Sequence, residues 1–362
     1  MKRRLMALGL AGLMLILSVG CKKKPDDISS APVSSQETVV DVSEPINPLT
    51  GVEGLSEDAV GKRPVAIMIN NVYAARDSYN AQSVQAGLTA ADIVYETYAE
   101  GGITRLLAVF KDIQNMPRVG SIRSARYSYV DLAMGHDAIY THAGKNYTQC
   151  APYMNQMGID NFDLLNKGAS FRVQNGKASE HTLYTDGKTL WDGFLKNKWR
   201  TELKVEETPW QNFVEEGKEV TPAGGACTYL SVKMSSQYIS NFKYDAESKK
   251  YVHYNSDRVH KDYNDQSTVS FKNVLVLKTT VTAFANDEKG VVKTHLDGGE
   301  GYYVSNGGYT PIKWSKGAAK NPIKITLADG SKVEYNPGNT YVLLVDKNNA
   351  VEITSESETA AE

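Results

Sequence analysis

The stretch ADIVYETYAEGGITRLLAVF, residues 91–110, sets two apolar, β-branched runs on either side of Gly101 and Gly102. Two such runs around a two-residue glycine turn predict an antiparallel hairpin. With the glycines at the tip, Glu100 would face Ile103 and Tyr98 would face Arg105. Alternation by two would then project Glu96, Tyr98, Glu100, Arg105 and Leu107 from one face. Thr97, Ala99, Leu106, Ala108 and Phe110 would form the other, an ordinary core face. On that register Arg105 lies diagonal to both glutamates. The patch reads in two ways: a solvent-facing ion pair stabilising the hairpin by up to about 1 kcal/mol, or the polar floor of a ligand cleft.

The flanking text extends the sheet. RPVAIMINN (63–71) is a continuous apolar run stopped by paired asparagines, which predicts a buried strand. RYSYVDLAMGH reads as a short helix, DAIYTHAG as a second buried strand, and NYTQCAPYMNQMG as a helix or turn. GKTLWDGFLKNKW (187–199) places Leu190, Phe194, Leu195 and Trp199 at helical spacing. After residue 225 the character changes to short β-branched and aromatic runs such as KYVHYN, VSFKNVLVLKTTV, GYYVSN and TYVLLVD, separated by turn residues. TLADGSKVEYNPG (326–338) predicts a hairpin with Asp329 and Gly330 at its tip. The expected fold class is α+β. A mixed α/β domain over 49–205 carries a sheet with an antiparallel hairpin, a polar linker covers 206–224, and a mostly β domain spans 225–350. The tail 351–362 ends in SESETAAE and reads as disordered.

The N-terminus gives an address. MKRRLMALGLAGLMLILSVGC has a cationic start at Lys2, Arg3 and Arg4, an apolar run from Leu5 to Val19, and Gly20 before Cys21. That is the order of parts in a secretory signal peptide, and the run is shorter than the roughly 20 residues of a membrane span. SVGC resembles a lipobox, with Ser18 where leucine is commonest, so residues 1–21 read as a lipoprotein signal with Cys21 as the lipidation site. An ordinary cleaved signal or an uncleaved anchor are the alternatives. Two acyl chains hold a protein stably at a bilayer, and Lys22, Lys23 and Lys24 would sit at the headgroups. Residues 22–48, rich in Ser, Pro, Asp and Glu, read as a disordered tether. The expected location is the outer face of the cytoplasmic membrane, with the membrane itself as a partner through the lipid on Cys21.

Cysteine use agrees with export: beyond Cys21 only Cys150 and Cys227 remain, too few for a disulfide scaffold. Pairing of the two or two buried thiols are both open. With 40 basic against 42 acidic residues the chain carries no nucleic-acid signature. No cofactor motif and no metal-ligand spacing is present.

In PRVGSIRSAR (117–126), Arg118, Arg123 and Arg126 stand beside Ser121 and Ser124. Gly120 permits an unusual backbone, and Ser121 or Ser124 is placed to cap a helix beginning near Ala125. A helix N-terminus suits anions, and arginine forks match carboxylate or phosphate bidentately. The segment is an anion site if the arginines are free, and a structural lock if they pair with Glu96, Glu100 or Asp92. His142 ends a buried strand, where ligands commonly meet α/β sheets. A general base, an anion ligand or a simply hydrogen-bonded histidine are its readings. His260 and Asp262 form an H-x-D pair, weaker candidates in the second domain and too few for a metal. There is no G-x-S-x-G and no H-E-x-x-H; SNFK (240–243) fits S-x-x-K but lies in strand-like text.

At RPVAIMINN, ADIVYETYAEGGITRLLAVF, VGSIRSAR and AIYTHAG, and again at FKYDAESKKY, VHKD, FKNVLVL and GEGYYVSNGGYTPIKW, the chain resembles the YerB-like lipoproteins. The resemblance implies a surface lipoprotein of a Gram-positive envelope, an α/β domain followed by a β domain, and no established activity. The sequence departs from that family's pattern at Thr182, which follows His181 where asparagine is usual.

Two functions follow. The first is a lipid-anchored binding or assembly factor for an anionic or carbohydrate cell-wall component, or for an envelope protein. Its ligand would be met by Glu96, Glu100, Arg105, Ser121, Arg123, Ser124, Arg126 and His142. The alternative is a wall-modifying hydrolase or transferase in the same cleft. Paired carboxyls for glycoside hydrolysis stand about 5 to 9.5 Å apart. Glu96 and Glu100, four strand residues apart, would stand near 13 Å at about 3.3 Å per residue, which favours binding.

Overall fold

A computed structural model describes residues 44–76, 83–204, 206–285, 287 and 290–355. The expected signal peptide, Cys21 and most of the tether and tail lie outside the described residues. Where they are described, Val351–Thr354 is not disordered but a strand paired with Tyr229–Val232, and Ile46 at the end of the tether bridges to Glu53.

The apolar runs assemble into one ten-stranded sheet drawn from both halves of the chain. Its order is Lys324–Thr326, Gly308–Ser315, Gly298–Ser305, Asn273–Thr279, Thr340–Asp346, then β2 (Ile93–Glu100), β3 (Ile103–Phe110), β1 (Val65–Ile69), Ile139–His142 and Asn161–Asp163. The halves join where TYVLLVD, the last long run, lies parallel to β2 from Ile93↔Thr340 to Glu96↔Leu343. Both joining strands are apolar on both faces, as central strands covered from two sides must be. Tyr341, Leu343 and Val345 face one core cluster, while Val342 and Leu344 face the other.

Each face is closed by different material. On one, a six-stranded sheet from the second half (Tyr229–Lys233, Ile239–Asp245, Lys250–Asn255 and neighbours) packs Leu230, Val232, Phe242 and Tyr251 against Val94, Leu106 and Val274. On the other, α1 (Tyr127–Met134) brings Tyr129, Val130 and Ala133 onto Met68, Tyr95 and Leu107. The expected helices are present: α1, α2 (Cys150–Met157) and, after the short α3 (Leu164–Lys167), α4 (Gly187–Lys196). In α4 the Asp186 carboxylate accepts from the Thr189 amide at 2.8 Å, capping the helix. The stretch 206–224 is laid against both halves. Trp210 donates its amide to Pro48 at 2.8 Å, and Phe213 bridges to Tyr335. Cys150 and Cys227 are free, buried thiols in opposite core clusters.

The hairpin departs from the expected register. Glu100 does pair with Ile103, but a shift between Tyr98 and Glu100 pairs Tyr98 with Thr104 and Thr97 with Arg105. The extra residue is a bulge, which reverses the side-chain alternation beyond it. Glu96 and Tyr98 therefore share one face, and Glu100 and Arg105 share the other. The hydroxyl of Tyr129 sits at the Thr97–Arg105 pair, accepting both amides at 3.2 Å with both carbonyls at 2.6 and 2.7 Å.

Candidate functional site

The strand β1 delivers Asn70 and Asn71 to the seam where the two halves meet, and each asparagine organises one side of the hairpin. Asn70 leans to the arginine side. Its Oδ1 accepts from Arg105 Nη1 at 3.4 Å, and its Nδ2 contacts His181 Nδ1 at 2.6 Å and Ser121 Oγ at 3.4 Å. Asn71 leans to the other side, donating to Glu96 at 3.1 Å and Thr104 at 2.7 Å. Gln85 ties the two together, donating to Asn70 O at 2.7 Å and Asn71 Oδ1 at 3.0 Å, while its own Oε1 is buried without a partner.

On the arginine side, Glu100 is the hub. Arg126 donates to both its oxygens, through Nε to Oε2 and through Nη2 to Oε1 at 2.5 Å, and Arg105 Nη2 approaches at 3.5 Å. Burial alone would raise the Glu100 carboxyl. The Arg126 hydrogen bond and the charges of Arg126, Arg105 and Arg123 outweigh it and hold it below the usual carboxylate range. Arg105 is 3% exposed, and its Nε has no partner. Arg123 is held loosely: it donates to the Glu180 carbonyl at 3.1 Å, and the Glu180 carboxylate, itself 60% exposed, is 3.8 Å away.

The serines have other work. Helix α1 begins at Tyr127, and its N-cap residue Arg126 makes no side-chain cap. VGSIRSAR instead runs as extended chain between strands, with Asn70 donating to Ser121 O and Arg123 to Met68 O. Ser124 donates to Ala143 O at 2.9 Å. Gly120 is required for space: a Cβ there would lie 2.4 Å from the Tyr184 ring. His142 is fully buried with Nδ1 at 2.8 Å from Gly144 O and Nε2 at 3.3 Å from Asn161 Oδ1, so it lies apart from the arginine cluster as a hydrogen-bonded strand-end histidine.

On the opposite side, Glu96 is fully buried and takes four neutral donors. Asn71 and Thr104 (2.8 Å) reach Oε1, and Ser240 (2.6 Å) and Tyr341 (2.8 Å) reach Oε2 from the second half. The two glutamates point to opposite faces and do not form an acid/base pair. Ser240 belongs to this cluster rather than to an S-x-x-K site; three residues on, Lys243 is exposed on the other face of the strand.

Beyond Glu96 lies a group of which sequence reading named only His260. Arg76, 3% exposed, donates Nε to Asn255 Oδ1 at 2.8 Å and stacks 4.7 Å over the Tyr238 ring. Among the described residues no carboxylate is within ion-pair distance of it. Asn255 Nδ2 is buried without a partner. Two residues earlier on the same strand face, His253 Nδ1 meets His260 Nδ1 at 2.8 Å, and both Nε2 atoms are buried without partners. Burial lowers both imidazoles, His260 to about 3, so both are neutral. One must then donate to the other, leaving one unused donor and one unused acceptor. Asp262 is separate from His260: it caps Thr89 at 3.2 Å and the Asn264 amide at 2.9 Å. Among the described residues no three His, Cys, Asp or Glu side chains converge as metal ligands do.

Sequence reading set Glu96, Glu100, Arg105, Ser121, Arg123, Ser124, Arg126 and His142 in one cleft. Glu100, Arg105, Arg123 and Arg126 cluster, whereas Glu96 faces the other side and His142 lies apart. Asn70, Asn71, Arg76, Gln85, His253, Asn255 and Tyr341 had no motif, and Ser240 had only its S-x-x-K match. The paired asparagines ending β1 were the one usable signal, read only as a strand stop.

Residues 49–200 match the family model described as the N-terminal domain of a protein of unknown function (DUF3048), and residues 230–342 match its C-terminal domain. The chain is 26% identical over 318 residues, 85% of this chain and 88% of the relative, to "Putative lipoprotein YerB" of Bacillus subtilis (strain 168). A crystal structure of YerB protein from Bacillus subtilis aligns with a TM-score of 0.70 over 85% of this chain and 100% of that one, at 24% identity, so the fold is shared.

Proposed function

From the premise that the chain belongs to the DUF3048 family, we propose that it is a lipid-anchored extracytoplasmic protein of a Gram-positive envelope. In this reading it is held at the outer membrane face through Cys21 and binds an anionic cell-wall component in the seam at the end of β1. The observation that carries this reading is the state of the arginines. Arg126 is spent on Glu100, whereas among the described residues Arg123 has only a carbonyl and a solvent-exposed carboxylate at 3.8 Å. A phosphate or carboxylate of a wall polymer replaces Glu180 at that guanidinium at little cost, because exposed pairs are worth at most about 1 kcal/mol. Arg105, with its unpartnered Nε, supplies a second positive group behind it.

Burial lowers the His181 imidazole, and the Arg123 charge adds to that effect. His181 thus stays a neutral hydrogen-bonding group beside the site at neutral pH. The opposite orientation of Glu96 and Glu100 supports binding over glycoside hydrolysis, which needs two carboxyls on one cleft.

The test is cosedimentation of the soluble form, residues 22–362, with purified wall sacculi carrying their anionic polymers and with sacculi stripped of those polymers by acid. The expected result is saturable binding to the intact sacculi alone, weakened by salt and lost in Arg123→Gln. Equal binding to stripped sacculi, or equal binding by Arg123→Gln, overturns the reading.

A further inference from the structure

The far end of β1 opens into a cavity of about 550 Å³, lined in part by Arg63, Met134, His136, Ile159, Trp210 and Lys320. It stands apart from the seam: Arg63 and Asn71 are eight strand residues apart, about 25 Å at the usual rise. Its volume lies in the range of small-molecule sites, roughly 300–1,000 Å³. Well-separated parts of the chain build it, among them the residues before β1, the turn after α1, the 158–160 turn, the 206–210 stretch and the 320–322 turn of the second half.

Most of the charge around it is already committed. Arg63 is 2% exposed at its side chain and binds Asp160 at 2.7 Å and Asp137 at 3.3 Å; Arg200 binds the same two carboxylates at 3.3 and 2.7 Å. Lys111 is paired with Glu207. What is left over has one character. Trp210 is 8% exposed and its Nε1–H is buried with no acceptor. The His136 ring lies 5.8 Å from Trp210, with Nε2 on the Tyr95 hydroxyl at 2.7 Å and no hydrogen bond to Nδ1 among the described residues. Burial holds His136 neutral, with its pKa lowered to about 3. On the rim, Lys204 and Lys320 are exposed without ion pairs among the described residues. Glu206 is the carboxylate without an ion pair beside them, while Asp137 and Asp160, partly exposed, are held by the two arginines. The floor is apolar: Leu49, Met134 and Ile159 are each at most 8% exposed.

We propose that this cavity is a second binding site, for a small amphiphilic anion with an apolar body and a single acidic head. The body lies on Leu49, Met134, Ile159 and the Trp210 ring. The head accepts from Trp210 Nε1 and is drawn by Lys204 and Lys320. A Nε1–H on a nine-tenths buried tryptophan with no protein acceptor among the described residues is a donor offered to an incoming acceptor, since an unmade buried hydrogen bond is costly. The rim excess of ammonium over carboxylate sets the sign of the head.

The probe is 8-anilinonaphthalene-1-sulfonate, followed by its own fluorescence and by energy transfer from tryptophan, with thermal unfolding as the check on folding. Saturable binding to the wild type is expected. Trp210→Phe keeps a ring but loses the donor, and should weaken binding about fivefold and remove most of the energy transfer. Lys204→Glu/Lys320→Glu, on exposed side chains, should weaken it about tenfold or more with an unchanged melting temperature. Arg123→Gln should leave it unaltered, which separates this site from the seam. Absence of saturable binding to the wild type, or equal affinity in the lysine double variant, overturns the proposal.

Discussion

Arg126 grips Glu100 with two nitrogens, Nε on Oε2 and Nη2 on Oε1 at 2.5 Å, while Arg123, three residues earlier, stands 3.8 Å from Glu180, its ion-pair partner among the described residues. The two arginines of one short segment therefore play different parts, one closing the hairpin tip onto the start of α1 and the other facing the seam. Side-chain exposures are 13% for Arg126 and 20% for Glu100. Breaking such a pair strands a charge, and Arg126→Gln should cost about 2–4 kcal/mol, the lower part of the range for buried pairs because both groups keep some exposure. Arg123→Gln should cost less than about 1 kcal/mol. Urea unfolding of the two single variants decides this; equal losses would remove the distinction.

The same pair gives a pH signature. The Glu100 carboxyl is held below its ordinary value in the native protein, so its contribution is complete above the usual glutamate range and is lost as pH falls through the lower native value. Native stability should therefore decline between about pH 4.5 and the acid limit. Arg126→Gln should flatten that decline, because the cation that depresses the carboxyl is gone. An unchanged pH slope in the variant would mean that Arg105 and Arg123 alone account for the depression.

Glu96 joins the two halves through neutral hydroxyls. Tyr341→Phe removes the 2.8 Å bond to Oε2 without altering packing, and should cost about 1.5–3 kcal/mol, as for hydrogen bonds to charged groups. Glu96→Gln should be milder than Glu96→Ala. Its amide nitrogen can turn toward Ser240 and Tyr341, whose hydroxyls can accept, while Oε1 keeps Asn71 and Thr104. Chemical denaturation of the three variants tests the order, and a Gln variant as unstable as the Ala variant would show that the charge itself is needed.

The sheet was legible because its strands are written in two-faced apolar text. RPVAIMINN reads as a buried strand and TYVLLVD as one of the β-branched runs of the second half, and both are central. What could not be read was partnership. Nothing in TYVLLVD says that it lies parallel to Ile93–Glu96 some 250 residues away, so the two halves read as separate domains with separate sheets. The bulge beyond Tyr98 was equally hidden. The pair just before it, Thr97 with Arg105, takes a hydroxyl from Tyr129, a residue on another element, and one residue of slip was enough to move Glu96 to the opposite face from Arg105. Arg76 was invisible for a different reason: an isolated arginine in polar text is ordinary, and only its burial with no ion-paired carboxylate among the described residues makes it notable.

Gly120 tests whether space, rather than a left-handed backbone, is what the VGS text supplies. A Cβ would stand 2.4 Å from Tyr184 Cδ1 and 2.9 Å from the Leu183 carbonyl. The Tyr184 ring cannot retreat freely, since its hydroxyl donates to Val84 O at 2.7 Å and accepts from Asn175 at 3.0 Å. Gly120→Ala should cost about 1–3 kcal/mol, the range for overpacking. Adding Tyr184→Leu should recover part of the loss by thermal unfolding. No recovery in the double variant would place the strain at the Leu183 carbonyl instead.

The His253–His260 pair predicts a second pH dependence, on the opposite side of the seam from Glu100. Both rings are fully buried beside the Arg76 guanidinium, and both imidazoles are lowered by burial, His260 to about 3. In the unfolded chain each takes a proton near pH 6.5. Between about pH 3 and 6.5 the unfolded state therefore binds protons that the native state refuses, and native stability rises with pH across that window. Above about 6.5 the effect is complete, since both states are neutral. His253→Gln/His260→Gln should lose most of this slope while keeping hydrogen-bonding groups in place. Imidazole nitrogen shifts followed by NMR should stay at their neutral positions down to pH 5 for these two rings. Titration of either ring near pH 6.5 in the native protein would mean that the pair opens to solvent and that Arg76 does not stand over it.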